Sequence, residues 1–155
     1  MFNEIETGGD GNCLYRCISY HFYEIESFHN KIRLETYNYL KNNTTFVYEY
    51  CYLKENKYYI DIEMGVNKIK KKYFIEDFIE NIKRDGFFGG FIELYIISKL
   101  YNATIFILVN NEIKSIKYYK KLMLYDNSEK NEYNEYELEE AIFLFYKNNN
   151  HYNYL

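Results

Sequence analysis

Cys13, His151 and Asn153 are residue types that together can carry out acyl transfer: a sulfur nucleophile, an imidazole base and a neutral amide able to hold the ring. Cys13 follows the run GGDGN (residues 8–12) and opens a stretch of helical character. The unpaired N–H groups and the dipole of a helix start favour a thiolate. That position predicts a Cys13 pKa lowered from about 8.5 into a range of roughly 3.5–7.5. The glycines permit backbone conformations closed to other residues and can turn several N–H groups toward one point beside the sulfur, as an oxyanion hole requires. Taken alone, the stretch reads equally well as a buried, inert cysteine after an ordinary glycine turn.

A cysteine nucleophile needs a base that is distant in sequence and near in space. Of the three histidines, His21 lies two turns down the helix that Cys13 opens, too far to reach the sulfur, and His29 suits an exposed helix start. His151 follows a buried strand in a loop made by three asparagines, where a rigid scaffold presents working residues. If the terminal stretch is extended, side chains at i and i+2 share one side, so Asn153 can accept from the imidazole and fix its tautomer. Tyr154 and Leu155 would anchor Asn153 against fraying. On this reading Asp in place of Asn153 is expected to be tolerated.

The elements that must position these residues are legible in outline. A helix is expected from about Cys13 to Tyr23, capped by Asn12 or a neighbour, and a second from a Ser27 cap to about Leu40. Ile75, Phe78, Ile79 and Ile82 fall on one helical face, with Gly86 as a terminator. GGFIELYIISKLYN reads as a helix apolar over most of its circumference, and therefore central. ATIFILV is a strand, Asn110-Asn111 a tight turn, EIKSIKYY and KKLMLYD further strands, NSEKNEYNEYELEE a polar surface loop and AIFLFYK a final buried strand. Helices first and strands last predict an α+β fold with helices packed on a mostly antiparallel or mixed sheet. Residues 44–73 alternate aromatic and charged types and resist assignment.

At 155 residues the chain is expected to form a single domain over 1–155. It is 48% hydrophobic and 27% charged, which excludes a disordered class. The 21% aromatic content includes 21 Tyr and 12 Phe but no Trp. A net charge of −4 argues against a dedicated nucleic-acid binder, and KIKKKYF (68–74) reads as a solvated face. No apolar run approaches the ~20 residues of a membrane span. Three cysteines do not make a disulfide framework, so a reducing, cytoplasmic setting is expected. The start lies only twelve residues before Cys13, as in a domain of a larger protein.

Three blocks in order resemble the OTU (ovarian tumour) family of cysteine deubiquitinases: GDGNCLYRCIS, GFFGGFIELYIISKLYNATIFIL and IFLFYKNNNHYNYL, spanning 9–155. The resemblance implies a papain-like cysteine protease of OTU type. It makes Cys13 the nucleophile, His151 the general base and acid, and Asn153 the orienting residue. Asp10 matches the family's loop aspartate, so backbone N–H groups of Asp10, Gly11 and Cys13 would form the oxyanion hole. Gly89 and Gly90 would border the channel for the modifier's tail. Phe88 stands where the family usually has Trp, and Cys17 where a small residue is usual.

The implied activity is hydrolysis of the (iso)peptide bond after the C-terminal glycine of ubiquitin through a thioester, by a monomer needing no cofactor. The partner would be ubiquitin or polyubiquitin, with no nucleic acid and no membrane. The alternatives are another ubiquitin-like modifier as substrate, or a silent ubiquitin-binding module. A metal site from Cys13, Cys17, His21 and Cys51 is a weaker reading, because zinc ligands come at shorter spacings from two segments. No metal is expected.

Overall fold

The computed structural model describes residues 4–64, 69–109, 112–120, 123–126, 141–147 and 151–155. Helices α1 (Cys13–Tyr23) and α2 (His29–Asn42) come first, followed by a short 3₁₀ helix (Thr45–Tyr50). Strands β1 (Tyr52–Lys54), β2 (Lys57–Met64) and β3 (Ile69–Phe74) lead into α3 (Ile75–Ile82) and α4 (Phe91–Leu100). Five strands close the chain: β4 (Thr104–Val109), β5 (Glu112–Lys120), β6 (Met123–Asp126), β7 (Ala141–Lys147) and β8 (His151–Tyr154). They form one mixed sheet in the order β6-β5-β4-β7-β8, with β4 and β7 parallel and the other neighbours antiparallel. This is the α+β architecture that the order of the patterns predicts.

Residues 44–73 hold the 3₁₀ helix and an antiparallel sheet, β1-β2-β3. Two of its strands lack the usual alternation: β1 is exposed throughout and β3 is exposed from Ile69 to Lys72. Neither strand buries a regular face, so no period of two marks it. The lysines of the basic run lie on that solvated edge, apart from Lys68, which falls outside the described residues. The Asn110-Asn111 turn, the polar stretch after Asp126 and the three asparagines before His151 fall outside them too.

Two helix starts differ from expectation. Asn12 occupies the cap position of α1 but makes no side-chain cap bond, because its amide is used elsewhere. Helix α2 begins at His29 with Phe28 at its cap position, so Ser27 does not cap it. Instead the Ser19 hydroxyl accepts the Phe28 N–H at 3.1 Å, and a side chain from α1 secures the turn. Gly86 does have a positive φ of 82°, yet α3 ends at Ile82 with Lys83 as its cap. That glycine conformation serves the later loop.

Helix α4 is the middle of the molecule. Leu94 and Ile97 pack with the Cys13 end of α1, Ile105 and Ile107 of β4, and Ile142 and Leu144 of β7. Ile92 and Ile96 face a second core made by α2, α3, Val47, Ile60 and Tyr73. Each such fully buried side chain contributes about 1.5–3 kcal/mol. Helix α3, at eight residues too short to persist alone, is held by burial of Ile75, Phe78, Ile79 and Ile82.

The start of α4 carries a buried acid. Glu93, 2% exposed, accepts the Gly90 N–H, one half of a capping box. Burial pushes its carboxyl up from 4.5 to about 7, against the pull of that N–H and of Arg33. The folded state therefore binds this proton more tightly than the unfolded chain does. Its contribution to stability is complete below about pH 4.5 and is lost as pH rises through about 7. Glu93→Gln keeps an acceptor for Gly90 and removes the titration. In urea unfolding, the variant should gain on wild type by roughly 1–3 kcal/mol between pH 4.5 and 8. Parallel stability curves would show that Glu93 does not titrate in this range.

Candidate active site

The last strand carries His151 and Asn153. Strand β8 pairs antiparallel with β7 in the register Lys147↔His151, Tyr146↔Tyr152 and Phe145↔Asn153. Its other edge meets the beginning of the chain. The Ile5 N–H donates to the Tyr154 carbonyl at 2.7 Å, and the Tyr154 N–H returns to the Ile5 carbonyl at 3.1 Å. The Leu155 N–H continues the β7 side by donating to the Phe143 carbonyl at 3.0 Å. Tyr154 and Leu155 thus anchor the strand end as expected, and the N-terminal segment is a second anchor that the sequence did not reveal.

Between these anchors, His151 and Asn153 are two residues apart on an extended strand, and His151 Nε2 lies 2.7 Å from Asn153 Oδ1. The Asn153 side chain is fully buried and each end has an unambiguous partner. Its Oδ1 accepts the Thr7 N–H at 3.1 Å, and its Nδ2 donates to the Glu4 carboxylate at 2.5 Å. A backbone N–H can only donate and a carboxylate can only accept, so the orientation of the amide is determined. Nε2 must then donate to Oδ1, which leaves Nδ1 of a neutral His151 as the acceptor. That is the tautomer a general base needs.

Cys13 sits at the first position of α1 and is 1% exposed. The backbone of Tyr152, between His151 and Asn153, lies close enough to the sulfur to pull its pKa down. The Tyr152 ring, itself buried, stacks between Phe88 at 5.8 Å and Tyr146 at 4.7 Å. Its carbonyl accepts the Thr7 hydroxyl at 2.7 Å and the Cys17 thiol at 3.4 Å. Tyr152 is therefore held by its ring and by its backbone, and it carries the strand past the sulfur. Helix α1, which starts at Cys13, packs on β8, which carries His151 and Asn153.

The Cys13 thiol differs from expectation in one respect. Burial pushes its pKa up, and the Asp10 charge adds to the rise, while the Tyr152, Leu14 and Cys13 backbone groups pull it down. The helix start acts in the expected direction, but desolvation of the anion is larger. At rest this is a thiol whose ionisation requires a proton acceptor.

The loop before Cys13 is fastened from below. Arg33 of α2, 1% exposed, donates to the Ile82 carbonyl at 2.9 Å, the Phe87 carbonyl at 2.8 Å and Asn12 Oδ1 at 2.6 Å. Its guanidinium lies over the Tyr15 ring at 4.2 Å. Asn12 also accepts the Gly86 N–H at 2.9 Å and donates to Asp85 at 3.1 Å. These bonds bring Gly11 against Gly86 so closely that a Cβ at Gly11 would stand 2.1 Å from the Gly86 carbonyl oxygen. Gly11 also has φ +84°. Of the three glycines in GGDG, this one is required by contact; nothing lies within 4 Å of a Cβ at Gly9.

The Asp10 carboxylate is engaged outside the Cys13 site. It pairs with Arg16 and accepts the Asn12 N–H at 3.1 Å, and these partners hold it well below the usual carboxylate range. The Asn12 amide is therefore committed, and the Asp10 side chain shapes the loop. Gly89 packs on the first turn of α1, where a Cβ would stand 2.8 Å from a Leu14 methyl, and Gly90 starts α4. The Gly89-Gly90 turn thus borders the Cys13 end of α1. The side chains of the alternative metal reading point to separate partners: Cys17 to Tyr152, His21 to Tyr154 at 2.9 Å and Cys51 to Val47 at 3.4 Å. Among the described residues, no group of three or more His, Cys, Asp or Glu is placed to hold a metal ion.

Glu4, Thr7 and Arg33 were not foreseen as part of this region. NEIET carries only a short alternation around Ile5, and Arg33 sits in a helix pattern that gives no sign of burial. Their roles depend on contacts across 149, 146 and 21 positions of sequence, respectively.

The sequence matches the family of OTU-like cysteine proteases over residues 8–152. No curated protein matches it in sequence. Among solved structures, it resembles an OTU deubiquitinase from Wolbachia pipientis wMel bound to ubiquitin, with TM-score 0.71 and 13% identity over 99% of this chain and 94% of that one. The OTUD1 OTU domain gives TM-score 0.66 at 20% identity, covering 97% and 83%. The Hazara virus OTU bound to ubiquitin gives 0.60 at 12%, covering 98% and 79%. At these identities the structures establish a shared fold, and the sequence match establishes kinship: the chain belongs to the OTU-like cysteine protease family.

Proposed function

We propose that the chain is a deubiquitinating cysteine protease that hydrolyses the isopeptide bond after the C-terminal glycine of ubiquitin. The observation that carries this reading is the 2.7 Å His151–Asn153 contact on a strand whose Tyr152 backbone rests against Cys13. Membership of the family and the two ubiquitin-bound structures of the same fold support the choice of substrate.

In the proposed reaction, Nδ1 of His151 takes the proton from the Cys13 thiol as the sulfur attacks the glycine carbonyl. This removes the need for a free thiolate at rest, which burial disfavours. Backbone N–H groups of Gly11 and Cys13, with that of Asp10, stabilise the oxyanion, and a preorganised donor of this kind is worth about 10²–10³ in rate. His151 then gives its proton to the leaving lysine amine. A water, deprotonated by His151, attacks the thioester and releases ubiquitin and the thiol.

A ubiquitin probe with a C-terminal electrophile should add once, at Cys13, as read by intact mass and peptide mapping. Cys17, buried with its pKa raised well above the usual value, and Cys51, also raised by burial, should stay free. An adduct on either would overturn the assignment of the nucleophile. Probes built on other ubiquitin-like modifiers should label more slowly, and faster labelling by one of them would reassign the substrate.

Turnover of a fluorogenic ubiquitin substrate tests the orienting residue. Asn153→Ala should lower it by roughly 10- to 10³-fold, short of the complete loss for Cys13→Ala. Deleting Tyr154 and Leu155 removes the backbone bonds to Ile5 and Phe143 and should have a similar effect. Wild-type turnover in Asn153→Ala would leave a Cys13–His151 pair oriented by something else.

A further inference from the structure

We propose that Glu4 is a positioning residue of this site: its carboxylate fixes the Asn153 amide, and through it His151, and supplies the negative charge that a neutral Asn lacks. The inference rests on the reading of Cys13, His151 and Asn153 just given.

The geometry forms a continuous chain. Lys147 Nζ of β7 donates to Glu4 Oε1 at 3.0 Å, and Asn153 Nδ2 donates to the same oxygen at 2.5 Å. Asn153 Oδ1 receives His151 Nε2 at 2.7 Å. Without Glu4 the buried Nδ2 would lose its only partner found among the described residues, and the Thr7 N–H would hold the amide at one end alone. The Ile5–Tyr154 pairing delivers Glu4 to this place.

Lys147 from β7, charged, and the imidazole of His151 from β8 face Glu4. Helix α1 faces the same strand with Cys13, Cys17 and His21. The Asn153 and Lys147 bonds hold the Glu4 carboxyl below its ordinary value, so it stays charged wherever His151 would act as a base. A positive His151 is attracted by that charge, and the attraction enters the same balance.

This geometry reverses the expectation that Asp would serve at 153. An Asp there would bring a second carboxylate to 2.5 Å from Glu4 and remove the donated N–H. The native pairing is amide to carboxylate, and exchanging the two partners should restore it.

The test uses the whole chain and two readouts. One is the pH dependence of Cys13 alkylation by iodoacetamide, followed by peptide mass, which needs no ubiquitin. The other is turnover of a fluorogenic ubiquitin substrate. Glu4→Gln keeps an acceptor for Nδ2 and removes only the charge. The pH at which Cys13 alkylation rises, set by His151 becoming able to accept the thiol proton, should move lower by about half a unit or more. Glu4→Ala should lower turnover about 10-fold or more. Asn153→Asp should be impaired with Glu4 present and recover at least about 10-fold in the Glu4→Gln, Asn153→Asp double variant.

Superimposable alkylation profiles for wild type and Glu4→Gln would overturn the proposal. So would an Asn153→Asp enzyme with undiminished turnover. A shifted profile in a protein that leaves every ubiquitin substrate intact would uphold the role of Glu4 and refute the substrate reading.

Discussion

The antiparallel pairing of Ile5 with Tyr154 is the constraint on which the site depends. It closes the two ends of the sequence onto each other at the outer edge of the five-stranded sheet. Strand β8 would otherwise be a four-residue edge strand held on one side only, the kind of terminus that frays. With the Glu4–Thr7 segment on its free edge, β8 has backbone partners on both sides. The same segment places Thr7 and Glu4 on the two ends of the Asn153 amide. The element that prevents fraying therefore also determines which way the amide points, and hence the His151 tautomer.

On the other side of the sulfur the constraint is a buried cation. Arg33 gathers carbonyls from Ile82 and Phe87 and the side chain of Asn12 into one cluster below the loop before Cys13. Such a group is costly to bury unless its donors are used, and most of these are. The result is a loop fastened from α2 and the segment after α3, and from α1 through the Asp10–Arg16 pair. Cys13 lies where the two constraints meet, and the electrostatics follow. Burial outweighs the helix start, and the sulfur stays protonated until a base takes the proton.

Much of this was legible in the sequence, for physical reasons that differ by element. Strand β4 is buried at four consecutive residues, Thr104 to Ile107, and β7 over much of its length, and their unbroken apolar runs report it directly. Helix α4 reads as central because Ile92 and Ile96 serve one core while Leu94 and Ile97 serve another. Cys13 and His151 could be singled out because the chain has three cysteines and three histidines, and Asn153 because it lies two residues from His151. The strands of residues 44–73 were not, since β1 and most of β3 are exposed on both faces. The two mistaken caps share a cause: Asn12 and Ser27 have the right chemistry for a cap, but tertiary contacts decided the outcome. Asn12 went to Arg33 and Gly86, and the α2 start was secured by Ser19. Glu4 was illegible because its contact with Asn153 exists only once the N-terminal segment and β8 are side by side.

Cleavage of isopeptide-linked diubiquitin tests the account most directly, with wild type and Cys13→Ala compared at equal concentration and after equal thermal stability has been verified. The account predicts conversion to monoubiquitin by wild type and intact diubiquitin with Cys13→Ala. Diubiquitin left intact by wild type, or cleaved by Cys13→Ala, would contradict it.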